Sequence, residues 1–126
     1  MAGLRAAAVA GADMRILIVE DNAQVRRFLR SLLTGLASEI DECGDGGEAL
    51  SAYNRHRPDL VLMDIQIGAV DGITATGKIK AADPAARIII VTDYDQVDLR
   101  EAAAQAGACA YVVKENLLAL LPLLGS

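Results

Sequence analysis

A chain of 126 residues, 53% of them hydrophobic, is sized for one domain with a substantial core, and with no Trp and a single Phe that core must be aliphatic. The formal net charge of −5, without any basic run, argues against wrapping nucleic acid or lying on an anionic membrane. No apolar run nears the roughly 20 residues of a membrane span.

Residues 1–13, "MAGLRAAAVAGAD", are short on large apolar side chains and are expected to be a flexible N-terminal extension. Met14 is able to open the domain proper, expected over 14–126. The first strong signal is "RILIVEDN". Ile16 to Val19 are continuously apolar and of strand length, which predicts a strand buried on both faces. Two adjacent acids, Glu20 and Asp21, end it. A helix follows on the spacing of Val25, Phe28, Leu29, Leu32, Leu33 and Leu36, capped by Asp21 or Asn22, with Gly35 near its frayed end.

"IDEC" alternates and reads as an edge strand. A second helix is predicted from about Gly47 to Arg55, stopping before Pro58. "LVLM" (Leu60–Met63) is a third buried strand, followed by a helix over about Gly72 to Ala81 that Gly77 weakens. "RIIIV" (Arg87–Val91) is the fourth strand, and a helix from about Gln96 to Ala106 ends at Gly107. "YVV" (Tyr111–Val113) is the fifth. The last helix begins near Glu115 and is expected to break or kink at Pro122, with Leu117, Leu120, Leu121 and Leu124 on one face. Cys43 and Cys109 lack metal-type spacing and read as free core thiols, and His56 reads as a surface residue.

Strand and helix alternate five times, which predicts an α/β fold with a parallel sheet covered on both faces. In such sheets the ligand site lies outside the carboxyl ends of the strands. Four strands end there in polar residues: Glu20 and Asp21, Asp64, Thr92 and Asp93, and Lys114. Singly, Asp21 is a helix cap, Asp64 a turn cap and Lys114 a solvated strand end. Together they make a site. Three carboxylates against one ammonium match a divalent cation, and oxygen-only ligands in a shallow site favour Mg²⁺. Asp64 is then placed to attack phosphorus as a carboxylate nucleophile, with Lys114 and the Thr92 hydroxyl stabilising the transferred group.

With Glu20-Asp21, Asp64, Asp71-Gly72, Thr92, Tyr111 and Lys114 in this order, the chain resembles the receiver domain of two-component response regulators over about Met14 to Leu124. The resemblance implies a five-stranded, flavodoxin-like sheet in the order 2-1-3-4-5. It implies a phosphorylation-dependent signalling switch rather than a classical enzyme, with Asp64 accepting a phosphoryl group from the phosphohistidine of a sensor histidine kinase or a phosphotransfer protein. It places Mg²⁺ on Glu20, Asp21, Asp64 and the backbone carbonyl of Gln66, makes Thr92 and Tyr111 the switch residues, and puts Asp93 and Tyr94 where they modulate the chemistry. The output surface would be formed by the fourth helix, the last strand and the last helix, for an unknown output protein or a second copy. A cytoplasmic location, with no membrane and no direct nucleic-acid contact, goes with it. Three positions depart from the family pattern: Ile67-Gly68 where Met-Pro is usual, Asp93 where a small residue is usual, and Glu115 where Pro, often cis, is usual. Two other functions compete. A nucleotide or flavin binder on the same fold needs phosphate-cradling amides and hydroxyls after the first strand, where this chain has carboxylates. An interaction module with a vestigial or slow site is the other.

Overall fold

The computed structural model describes residues 14–66 and 70–124; the expected extension and the Ile67-Gly68 departure lie outside them. Strand β1 (Arg15–Val19) leads to α1 (Ala23–Leu33) and β2 (Glu39–Cys43). A 3-10 turn at Gly46–Glu48 opens α2 (Ala49–His56), followed by β3 (Leu60–Met63) and α3 (Gly72–Ala82). Then come β4 (Ile88–Thr92), α4 (Val97–Ala106), β5 (Ala110–Val113), a 3-10 segment (Lys114–Ala119) and α5 (Leu120–Leu124). All strand pairs are parallel, in the order β2-β1-β3-β4-β5.

The continuous apolar runs serve two faces at once, because successive strand side chains point to opposite sides. Leu17, Val19, Val61, Met63, Ile88 and Ile90 pack against Ala52 and Tyr53 of α2, Ala75 and Ile79 of α3, and Ala103 of α4. Ile16, Ile18, Leu60, Leu62, Ile89, Val91 and Val112 meet Leu29 and Leu33 of α1 and Leu120 and Leu124 of α5. At about 25 cal/mol per Å² of buried apolar surface, such side chains each contribute roughly 1.5–3 kcal/mol, so the two-sided sheet dominates the stability. Strand β2, at the edge, is only partly buried, as its alternation predicts.

Local chemistry sets the ends. The Asn22 side chain accepts from the Gln24 and Val25 amides and caps α1; of the two candidates, Asn22 and not Asp21 is the cap. Gly107, at φ 109°, ends α4 in the left-handed conformation that glycine tolerates best.

Four expectations need correction. Helix α1 stops at Leu33, because Gly35 at φ 89° turns the chain; Leu36 lies beyond it and is exposed. Phe28, assigned to the packed stripe, is 54% exposed, since Leu29 and Leu33 already fill the face toward the sheet. The break in the last helical segment is at Asn116, with φ −131° and ψ 54°. Pro122 sits instead in the short α5, where a first-turn position needs no N–H. That break resets the helical phase, so Leu117, Leu120, Leu123 and Leu124 pack while Leu121 is exposed. Finally, Cys43 is a buried free thiol, but Cys109 is exposed. His56 is half-buried, 3.4 Å from Asp41 through Nδ1.

Gly77 lies inside α3, and a Cβ added there meets nothing within 4 Å. Gly77→Ala should therefore raise stability by about 0.5–1 kcal/mol, because it restricts the unfolded chain without a clash. Urea unfolding checks this: the midpoint should rise at an unchanged slope.

Candidate functional site

Backbone register brings the acids together. Val19 of β1 pairs with both Cys43 of β2 and Met63 of β3, so Glu20 and Asp64 leave the sheet side by side. Their amides continue the ladder: Glu20 N–H donates to the Cys43 carbonyl at 2.9 Å and Asp64 N–H to that of Val19 at 3.0 Å. Thr92 and Val113 pair at the ends of β4 and β5, and Lys114 follows directly.

Lys114 spans the cluster. Its Nζ lies 2.8 Å from Glu20 Oε1, 3.1 Å from Asp64 Oδ2 and 4.0 Å from Asp93 Oδ2. Glu20 and Asp64 are buried, whereas Asp21 is exposed. One carboxylate oxygen from each of Glu20, Asp21 and Asp64 lies within 4.8 Å of the others. The donor set is all oxygen, with a charge excess that one ammonium does not cancel; it fits a hard divalent cation. Burial pushes the Glu20 carboxyl above the usual carboxylate range, although Lys114 and the Asn22 amide pull it back. Burial alone would lower the Lys114 ammonium, but the hydrogen bond to Glu20 and the charge of Asp64 outweigh it and hold the proton more tightly.

These groups line an open cleft of about 600 Å³, together with Asn22, Ile65, Gln66, Asp71, Asp93 and Tyr94. Asp64 Oδ1 also accepts from the Ile65 amide at 2.7 Å, which fixes the carboxylate plane. Asp93 is an exposed acid at the mouth, with 71% of its side chain accessible.

Thr92 and Tyr111 stand apart from the cleft lining. Thr92 is fully buried, and its hydroxyl accepts from the Tyr94 amide only at 3.5 Å. Tyr111 is half-buried; its hydroxyl donates to the Tyr94 carbonyl at 2.7 Å, and the Arg100 guanidinium lies over its ring at 4.6 Å. Tyr94 also donates through its hydroxyl to Gln66 Oε1 at 3.0 Å, across the mouth. Asn22 and Ile65 were not among the predicted site residues. Their signal was only adjacency to Asp21 and Asp64.

The family model of the response regulator receiver domain matches residues 16–122. The chain belongs to that family. It is 43% identical over 115 residues to the transcriptional regulatory protein PdtaR of Mycobacterium tuberculosis, covering 90% of this chain and 56% of that protein, so it spans about half of that relative's length. It is 42% identical over 101 residues to the chemotaxis protein CheY of Bacillus subtilis, covering 79% and 84% of the two chains. Among solved structures, a LuxR-family two-component response regulator from Aurantimonas superposes with a TM-score of 0.80 at 35% identity, covering 88% and 84%. A CheX-CheY-BeF3-Mg+2 complex from Borrelia burgdorferi matches with a TM-score of 0.77 at 27% identity, covering 87% and 88%. Among the described residues no helix is long and apolar enough to cross a membrane.

The backbone geometry at Asp64 depends on Asp71-Gly72. Asp71 caps α3 by accepting from the Thr74 amide at 2.8 Å, and Gly72 N–H donates to the Ile65 carbonyl at 2.7 Å. A Cβ at Gly72 would lie 1.8 Å from the Asp64 carbonyl oxygen and 2.9 Å from Met63 Cγ. Gly72→Ala should therefore cost about 2–3 kcal/mol by overpacking, the opposite sign from Gly77→Ala five residues on in the same helix. Urea midpoints of the two variants, measured side by side, test this.

Proposed function

We propose that the protein is a phosphorylation switch in which Asp64 accepts a phosphoryl group with Mg²⁺ held by Glu20, Asp21, Asp64 and the Gln66 backbone carbonyl. The observation that carries this reading is the convergence of three carboxylates and Lys114 at the ends of β1, β3 and β5. The donor would be a phosphohistidine of a sensor histidine kinase or phosphotransfer protein. An Asp64 carboxylate oxygen forms the new O–P bond while the P–N bond breaks; the electron pair leaves with the imidazole nitrogen, which is neutral once protonated by solvent. The cation, when bound, offsets charge on the phosphoryl oxygens. Lys114, already 3.1 Å from Asp64, stays charged and within reach of the same oxygens. Thr92 lies under the cleft and would donate its hydroxyl to the transferred group.

The output would leave through the face of α4, β5 and the last helical segment. In support, Val97 of α4 is 70% exposed and Leu118 is 65% exposed, while a groove of about 230 Å³ beside Tyr111 is lined by Asp95, Arg100, Glu115, Asn116 and Ala119. The partner would be an output protein or a second copy, and the location cytoplasmic. No direct contact with nucleic acid is proposed for this domain. The slow-site alternative has its own support: Asp93 and the Tyr94–Gln66 contact both crowd the entrance. We read them as modulators of rate.

Intact-mass measurement with a small acyl phosphate and Mg²⁺ should show the gain of one phosphoryl group in wild type and none in Asp64→Asn. A gain that persists in Asp64→Asn overturns the assignment.

Asp93→Ala should accelerate that reaction about three- to tenfold at low salt and saturating Mg²⁺, because an exposed anion at the mouth repels a dianionic donor. The gain should shrink as salt rises. An unchanged or lower rate would assign Asp93 to the cation or to Lys114 instead.

A further inference from the structure

The inference concerns Arg26 and rests on reading the cleft as a divalent-cation site. Among the described residues, the Asp21 carboxylate has no hydrogen-bond donor or ion-pair partner, and it is exposed. Its two companions are held by their side chains: Glu20 by Lys114 and the Asn22 amide, Asp64 by Lys114 and the Ile65 amide. Asp21 is therefore placed through its backbone alone. The peptide that enters it begins at the Glu20 carbonyl, and that oxygen accepts from Arg26 Nη1 at 2.6 Å.

Arg26 is itself braced. Its Nε donates to Glu42 Oε1 at 3.0 Å, and Arg30 Nε holds the other oxygen of Glu42 at 2.6 Å. Arg30 Nη2 also reaches the Ile40 carbonyl on β2 at 2.8 Å. The guanidinium thus ties the β1–α1 loop to the edge strand. A fork with fixed geometry is suited to bridging a carbonyl and a carboxylate at once; a lysine ammonium is not.

We propose that Arg26 is a positioning residue for Asp21: by clamping the Glu20–Asp21 peptide to Glu42 it sets the Asp21 carboxylate in the cation cluster. The clamp and simple electrostatics predict opposite signs. Removing a positive charge beside an acidic cluster should tighten binding of Mg²⁺. Losing the clamp should weaken it, by about tenfold on the scale of outer-shell substitutions at metal sites.

The test is titration of the full chain with MgCl₂ alone, without phosphodonor, following backbone amide NMR shifts at 20–22 and 64. Arg26→Gln should bind Mg²⁺ about tenfold more weakly. Arg26→Lys, which keeps the charge, should also be weaker. Arg30→Gln, which loses the same charge and the same Glu42 partner but no contact with Glu20, should bind as well as wild type or better. Arg26→Gln binding as tightly as wild type, or more tightly, overturns the clamp, and so does equal weakening in Arg30→Gln. Should Arg26→Gln fail to fold, Arg26→Lys decides: wild-type affinity there overturns the proposal. Asp21→Ala separates this from the underlying reading. If it titrates like wild type, the cleft is not the cation site; if it weakens while both Arg26 variants do not, the site stands and the clamp falls.

Discussion

Three carboxylates whose oxygens approach within 4.8 Å repel one another, and among the described residues Lys114 is the only cation lining the cleft that contains them. The arrangement is stable because the sheet supplies both members of the compensation from fixed positions. Register puts Glu20 beside Asp64, and β5 delivers Lys114 to both. Burial raises the cost of each charge, and the same burial strengthens the attraction that offsets it. The residual negative charge leaves the edge of the sheet fit for a cation, as the proposed function requires, rather than a set of satisfied ion pairs.

That constraint reaches outward into positions with no charge of their own. Gly72 must lack a side chain because α3 starts against the Asp64 carbonyl. Asn22 turns the acidic loop into the cap of α1. On the far side Tyr53, buried against α3, donates to Asp83 at 2.6 Å and pins α2 to the end of α3, away from the cleft. Burial and that carboxylate together push the Tyr53 phenol up to about 12, so the bond persists through the neutral range.

How much of this was readable in advance follows from which forces act locally. Continuous apolar runs such as Ile16–Val19 and Ile88–Val91 suit strands buried on both faces of an alternating α/β chain, so the strands and the polar residues at their ends were legible, while their order came from the resemblance to receiver domains. Amphipathic faces were less so. Phe28 fits the period of α1 but projects beyond the width of the sheet face that Leu29 and Leu33 cover. Leu121 fits a wheel drawn from Glu115, but the backbone turns at Asn116 and the wheel restarts. Thr92 was readable as a strand end and not as a fully buried hydroxyl, since burial there depends on the loop that folds over it. Arg26 left no signal at all: it lies on α1, and its partners are a backbone carbonyl and Glu42, sixteen residues away on β2.

Tyr94 is where the cleft and the outer face meet. Its amide, carbonyl and hydroxyl contact Thr92, Tyr111 and Gln66 respectively, and the three contacts are unequal. At 3.5 Å the bond to Thr92 is at the limit of a hydrogen bond, so drawing the Thr92 hydroxyl toward a group on Asp64 would sacrifice little. At 2.7 Å the bond from Tyr111 is strong, and Arg100 over the ring, itself held by Asp95 at 2.6 Å, reinforces it. In the proposed switch the β4–α4 loop would therefore carry Tyr111 and Arg100 with it rather than slide past them. Phosphorylation would then bias the population of one arrangement of the groove beside Tyr111 over another, through differential hydrogen bonding and without a new fold.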